Sequence, residues 1–214
     1  MSNSPSTLVC FAVKEEARYF ARRVDSHPEI RILLTGMGRL NVERTVRPAL
    51  VAHAPQRVIT AGFAGGLRPE LKTGTVVFFA DPETGLESHL RASGATQVHF
   101  YNAETVISTA VEKQALFRTT GAEAVEMESQ YVQALCREAQ VPAATVRVIL
   151  DTAAEDLPLD FNQVMTPDQR MDYGKLAFHL LRSPSKIKVL LRLQKQSTFA
   201  ARRLAEILAP VLGC

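Results

Sequence analysis

Hydrophobic positions along the 214-residue chain fall into two kinds of run. Short, nearly continuous apolar segments predict buried strands, and longer segments with apolar residues three or four positions apart predict amphipathic helices. The predicted strands are 8–13, 30–35, 57–60, 75–79, 143–150 and a weaker 97–101, and the predicted helices are 15–24, 41–53, 129–140 and much of 168–212. Because strands alternate with helices, we expect an α/β fold with a mostly parallel central sheet flanked by helices.

The composition is that of one well-buried domain. With 214 residues and 46% hydrophobic content, we expect a single domain over 1–214, with helices in 168–212 packed on it. A net charge of +3 and scattered arginines do not favour a nucleic-acid partner. The five histidines lack the spacing of metal ligands, so no metal is expected.

The cellular setting is predicted from cysteines and from the lack of long apolar runs. The three cysteines show no CxxC spacing, and no apolar run approaches the roughly 20 residues that cross a bilayer. We therefore expect a cytoplasmic protein without disulfides. The basic and apolar residues between 186 and 208 predict amphipathic helices on the domain, and peripheral membrane contact is the less favoured alternative.

Acidic residues mark the segment 124–151. Glu126 and Glu128 lie at the start of a predicted helix, and Asp151 directly follows the predicted strand 143–150. Ligands of open α/β sheets bind at the carboxyl ends of strands. Clustered carboxylates repel one another unless they bind something, which favours a site. On spacing alone, a solvated helix start with a capping Asp explains the pattern equally well.

Three other features near predicted strands are candidates for a site. Gly62, Gly65 and Gly66 follow strand 57–60 and predict a tight turn that lets the backbone approach a ligand, although the spacing is not GxGxxG. Arg147 lies in an otherwise apolar strand and requires a partner if it is buried. Glu16 follows the first strand, where on sequence alone it is an ordinary first-turn glutamate.

Four segments resemble, in the same order, the purine nucleoside phosphorylase and nucleosidase superfamily. They are AVKEEA at 12–17, TGMG at 35–38, TAGFAGGL at 60–67 with KTGTVV at 72–77, and VEMES at 125–129 followed by a helix, Val-Pro and a strand ending in Asp. The pattern is similar to that of methylthioadenosine/S-adenosylhomocysteine nucleosidases. The tail after Asp151 resembles the hopanoid-associated branch, which is thought to act on adenosylhopane. The resemblance implies a nucleoside phosphorylase-like fold and cleavage of the N-glycosidic bond of an adenine-type nucleoside.

The resemblance also implies roles for individual residues. Asp151 would be the general acid toward the purine, Glu16 would orient the attacking water, with Glu15 as the alternative one residue away, and Arg147 would support the nucleophile. Glu128 would bind the ribose hydroxyls. The other implied substrate-binding residues are Met127 against the sugar, Glu126, Gly62, Phe63 and Gly65 of the glycine-rich segment, and Val106 at the base.

Several positions depart from the family pattern. Phe63 replaces a Ser or Thr near the nucleophile, Leu150 replaces a Ser beside the acid, and Val106 stands where an aromatic residue stacks on the base. The chain between Val77 and Glu104 is shorter than in nucleosidases, which opens the 5′ side of the sugar. We expect an apolar groove there, lined by Phe78, Phe79 and Phe100, for a bulky 5′ substituent, and the alternative is that a dimer partner covers this groove.

Water is the expected nucleophile because Glu16 is retained while a phosphate site is not evident. Arg39 and Arg44 are the alternative phosphate ligands. The expected partner is a small-molecule nucleoside, with no cofactor unless phosphate is a co-substrate, and relatives suggest a homodimer. A phosphate-dependent phosphorylase and a non-catalytic protein that binds a nucleoside or lipid conjugate remain alternatives.

Overall fold

The computed structural model describes residues 7–157, 160–164, 166 and 185–214. Within these residues, one sheet contains the strands β1 (Thr7–Phe11), β2 (Ile30–Leu34), β3 (Arg57–Gly66), β4 (Val76–Ala80), β5 (Thr96–Gln97), β6 (Phe100–Asn102), β7 (Ala124–Glu126) and β8 (Ala143–Asp151). The helices are α1 (Lys14–Arg23), α2 (Arg39–His53), α3 (Glu87–Ala92), α4 (Ala110–Thr120), α5 (Ser129–Glu138) and α6 (Ser185–Val211).

The sheet is mixed but mostly parallel. Its strand order is β2-β1-β3-β8-β4-β5, and β7 joins the end of β3 and pairs with β6. The strands β1, β2, β3 and β8 run parallel, whereas β4 is antiparallel to β8 and β7 is antiparallel to β3. This architecture confirms the predicted α/β fold, and it brings the carboxyl ends of β1, β3 and β8 to one edge of the sheet.

Helices cover both faces of the central strands. In β1, Val9 and Phe11 belong to a core cluster with residues of α1 and α6, whereas Leu8 and Cys10 belong to a cluster with residues of α2 and α5. A strand buried on both faces reads as a continuous apolar run, which is why 8–13 showed no alternation in sequence.

Two local predictions in the glycine-rich and acidic segments were wrong. The strand β3 does not turn after residue 60 but continues to Gly66, because its second half pairs with β8 on one side and Gly65 and Gly66 pair with β7 on the other. Residues 124–126 form β7 rather than the start of a helix, and α5 begins only at Ser129. Pairing with distant strands decides both outcomes.

The C-terminal prediction is only partly covered by the described residues. The helix α6 contributes Ala200, Leu204 and Leu208 to the same core cluster as α1, and residues 167–184 lie outside the described part of the chain. Among the helices that can be described, none combines the length and apolar character needed to cross a membrane.

Candidate active site

A cavity of about 300 Å³ lies at the carboxyl edge of the central strands. Four carboxylate side chains line it, those of Glu16, Glu126, Glu128 and Asp151. The other lining residues expected from the sequence are Phe63, Gly65, Val106 and Met127. The strand ends and the turns that follow them therefore bring together residues that are up to 135 positions apart in the chain. Gly62 and Arg147 do not line the cavity and lie behind its wall.

Glu16 is held at the floor of the cavity by backbone N–H groups. Its Oε2 accepts hydrogen bonds from the N–H of Ala12 (3.1 Å) and of Val13 (3.3 Å), and its Oε1 accepts one from the N–H of Phe63 (2.9 Å). A Cβ on Gly62 would lie 2.6 Å from Oε1, so only glycine leaves room for this carboxylate. Burial raises the pKa of Glu16 despite these hydrogen bonds.

Glu128 directly precedes α5 and lines the same cavity. Its Oε1 accepts a hydrogen bond from the N–H of Gly38 (3.1 Å), at the start of α2. Burial, reinforced by the nearby negative charges of Glu126 and Glu16, raises the pKa of Glu128 to about 8. A carboxyl group of this kind is poised to change its charge when a cationic or hydroxyl-bearing ligand enters.

Glu126 is bound mainly within the protein. Its Oε2 accepts hydrogen bonds from the N–H of Glu128 (3.1 Å) and of Ser129 (2.8 Å), and its Oε1 accepts one from the Ser129 hydroxyl (2.7 Å). Arg147 donates from Nη2 to Glu126 Oε2 at 2.7 Å and to the hydroxyl of Thr60 at 3.0 Å. These contacts favour a structural role for Glu126 at the start of α5. Its side chain also lines the cavity.

Arg147 retains unused donors beside the carboxylates. Its Nε and Nη1 are buried and have no hydrogen-bond partner among the described residues. Buried donors of this kind are normally satisfied, so a buried water between Arg147 and the nearby carboxyl groups would complete them. The position of Arg147 is compatible with the role that the family resemblance implies for it, namely support of the nucleophile.

Asp151, the last residue of β8, pairs with a lysine that sequence reasoning missed. The Lys113 ammonium forms an ion pair with Asp151 Oδ2 and donates to the carbonyl oxygens of Thr152 (3.0 Å) and Glu155 (2.6 Å). Burial raises the pKa of Asp151, and the charge of Lys113 opposes that rise. The signal for this helix was present, because Thr109 and Glu112 form a capping box at the start of α4.

The upper wall of the cavity is apolar. The side chains that form it come from three separate segments, namely Ile107, Leu157, Phe161 and Leu193 of α6. Asn162 fixes this wall by hydrogen bonds of 2.9 Å to both the N–H and the carbonyl oxygen of Val106.

The phenylalanines expected to line this wall do not reach it. Phe78 is fully buried in the core, Phe100 packs in a separate core cluster, and Phe79 lines a different surface cleft. Alternation along β4 sends Phe78 and Phe79 to opposite faces of the sheet, Phe78 into the core and Phe79 into the other cleft.

The residues that the sequence offered as phosphate ligands, and as the alternative to Glu16, lie outside the cavity. Arg39 forms an ion pair with Glu43, its side chain is 65% exposed, and neither it nor Arg44 lines the cavity. Glu15 is exposed on α1. In the described ranges, no group of three His, Cys, Asp or Glu side chains is arranged to hold a metal ion.

Comparisons with known proteins identify the fold and the family. A search of curated protein sequences found no significant match. Futalosine hydrolase of Helicobacter pylori superposes with a TM-score of 0.72 at 15% identity, covering 98% of both chains. The 5′-methylthioadenosine/S-adenosylhomocysteine nucleosidase of Neisseria meningitidis, in complex with methylthio-immucillin-A, gives a TM-score of 0.71 at 15% identity and covers 97% of this chain and 98% of its own.

The corresponding nucleosidase of Campylobacter jejuni gives a TM-score of 0.70 at 13% identity, covering 97% of this chain and 98% of its own. At these identities the superpositions establish a shared fold. The sequence model of the phosphorylase superfamily matches residues 8–107 and 100–182, which together make up most of the chain. The protein therefore belongs to the phosphorylase superfamily.

Proposed function

We propose that this protein is a nucleosidase that cleaves the N-glycosidic bond of an adenine-type nucleoside, with water as the nucleophile. The proposed substrate carries a bulky apolar group on its ribose 5′ carbon. The observation that carries the proposal is a single cavity in which the carboxyl groups of Glu16, Glu128 and Asp151 converge beneath an apolar wall. Solved structures with this fold include nucleosidases that bind nucleoside analogues.

The three carboxyl groups fit the steps of this reaction. As the C1′–N9 bond breaks, its electron pair moves to the purine, and Asp151 donates a proton to the departing base. The Glu128 carboxyl group binds the ribose hydroxyls, and in its ionised form it faces the positive charge that develops on the sugar. Water then attacks C1′ and transfers a proton to Glu16, whose raised pKa suits it to accept one.

The charge of the cavity favours water over phosphate. Four carboxylate side chains line it, and in the described part of the chain no lysine or arginine does. A phosphate anion requires several donors at bonding distance, and here it would be repelled by the neighbouring negative charges. Water requires only one acceptor and one or two donors, and the carboxyl group of Glu16 in the cavity can supply the acceptor.

The apolar wall supports a bulky substituent at the 5′ position. Ile107, Leu157, Phe161 and Leu193 offer hydrocarbon surface that a plain ribose would leave exposed to water. Burial of apolar surface contributes about 25 cal/mol per Å², so each 100 Å² covered adds roughly 2.5 kcal/mol to binding. A polycyclic lipid such as the hopane of adenosylhopane has the size and chemistry to cover this wall.

The reaction is tested with adenosine and with a series of 5′-alkyl adenosines, each incubated with and without phosphate. We expect release of adenine and of a free sugar at rates that do not depend on phosphate. A sugar 1-phosphate formed only in its presence would establish a phosphorylase instead. Binding without any turnover across the series would establish a binding protein.

The 5′ substituent is tested with two leucines of the same helix. Leu193 lines the cavity, whereas Leu191 is 53% exposed and does not. Leu193→Ser should lower kcat/KM for the longest 5′-alkyl adenosine by roughly tenfold, from a loss of about 1.5 kcal/mol of burial, and should leave adenosine itself unchanged. Leu191→Ser is the matched control. Equal losses for long and short substrates would contradict a lipid-binding wall.

A further inference from the structure

Lys113 is fully buried in α4, with 0% of its side chain exposed. Its ammonium meets three acceptors, namely Asp151 Oδ2 and the carbonyl oxygens of Thr152 at 3.0 Å and Glu155 at 2.6 Å. Three acceptors satisfy the three N–H donors of an ammonium group. Because a buried charge is costly without such partners, this arrangement is specific rather than incidental.

The ion pair restricts how Asp151 can meet a ligand. Lys113 occupies Oδ2, while the Asp151 side chain keeps 15% of its surface exposed and lines the cavity. A carboxyl group with one oxygen fixed in this way has little freedom to rotate. The other oxygen is therefore the one that can face a base in the cavity.

The same ammonium also attaches the segment after β8 to the start of α4. Glu155 Oε2 accepts hydrogen bonds of 3.0 Å from both the N–H and the hydroxyl of Thr152, which closes a turn around Lys113. Farther along, Asp156 Oδ1 accepts a hydrogen bond from the N–H of Ala110 (2.7 Å), and the N–H of Leu157 donates one to the carbonyl oxygen of Ser108 (2.8 Å). The turn thus places Leu157 in the apolar wall.

We propose that Lys113 is a positioning residue that acts through Asp151, orienting its carboxyl group toward the base and controlling its charge. This inference rests on the proposed function, in which Asp151 donates a proton to the purine. It does not require Lys113 to contact the substrate, because all three of its donors are already used within the protein.

Opposite charges on the two sides of Asp151 make the proposal testable. Lys113 faces it from α4 and lowers its pKa, whereas Glu155 faces it from the following turn and raises it, in addition to the rise caused by burial. From α6, Arg192 lies 3.9 Å from Glu155. Elsewhere in the cavity, Glu126 is paired with Arg147, and Glu16 and Glu128 accept backbone hydrogen bonds. A proton donor must be protonated before it acts, so activity should fall as the pH rises through the pKa of Asp151.

The experiment compares Lys113→Met and Glu155→Gln with the wild type. Methionine keeps the length and apolar stem of lysine without its charge, and the glutamine amide oxygen can still accept from Thr152. The basic limb of the kcat/KM profile should move to higher pH in Lys113→Met and to lower pH in Glu155→Gln. A purely structural role would lower kcat/KM equally at every pH, and that result in a folded Lys113→Met protein would overturn the proposal.

A second measurement separates this inference from the proposed function. The Asp151 carboxyl carbon is titrated by ¹³C NMR in the ligand-free protein and assigned with Asp151→Asn. Its pKa should shift upward in Lys113→Met and downward in Glu155→Gln even if no nucleoside is cleaved. If Lys113→Met does not fold, Lys113→Gln, which also removes the charge, takes its place, and an unshifted Asp151 titration in that variant would refute the control of its charge by Lys113.

Discussion

The raised pKa of Glu128 predicts a specific dependence of stability on pH. The carboxyl group accepts one backbone hydrogen bond, from Gly38, and faces Glu126 and Glu16. In the unfolded chain it ionises near the ordinary value of 4.5, whereas in the folded protein it holds its proton to about 8. Stability from this proton is therefore fully present below pH 4.5 and is lost as the pH rises through about 8.

The size of the effect follows from the pKa difference. Between the two pKa values the folded protein holds one proton more than the unfolded chain, so the free energy of unfolding falls by about 1.4 kcal/mol per pH unit. From about pH 6 to about pH 9, which crosses the folded-state pKa, the loss should be roughly 2 to 3 kcal/mol. Glu128→Gln has no proton to lose and retains an acceptor for Gly38.

Urea unfolding of the wild type and Glu128→Gln at both pH values measures this difference. The variant should gain roughly 2 to 3 kcal/mol relative to the wild type as the pH rises over that range. Glu15→Gln is the matched control, because it makes the same chemical change at an exposed position of α1 and should follow the wild type. If the wild type and Glu128→Gln lose stability in parallel, burial does not hold the proton on Glu128.

Three further substitutions test the site. Asp151→Asn should keep the fold and lower kcat by roughly 100-fold on a nucleoside that the wild type cleaves. Arg147→Met should lower the free energy of unfolding by roughly 3 to 5 kcal/mol, measured with urea, because it leaves a buried carboxylate unpaired. Gly62→Ala should displace Glu16 and cost roughly 100-fold in kcat, whereas Gly66→Ala, whose Cβ would meet no atom closer than 3.3 Å, should cost far less.

Periodicity in the sequence was sufficient to predict the fold class. Runs such as 8–13 and 143–150 are apolar on both faces, and burial beneath helices on both sides of a parallel sheet produces that pattern. The same information placed Asp151 at the end of its strand, where ligands of such sheets bind. Elements without an evident period were missed: β7 has three residues and α3 has six, and α4, although it has 11 residues, is only weakly amphipathic.

The residues of the site were identified by resemblance more than by physics. The pattern around Glu128 and Asp151 and the position of Glu16 matched a known family, while spacing alone left each with an ordinary structural explanation. The tertiary structure adds that their carboxyl groups share one cavity. It also shows that Glu126 mainly caps α5 and pairs with Arg147, a distinction that sequence reasoning left open.

Contacts between distant segments were decided by the tertiary structure alone. Gly38 donates to Glu128 across 90 positions, and Lys113 pairs with Asp151 from a helix that the sequence analysis had not assigned. Leu193 completes the apolar wall from the last helix. The sequence pattern determines which side chains are buried and with what period, because burial acts on each element separately. Which buried side chains meet depends on how those elements pack, and that is a property of the folded chain as a whole.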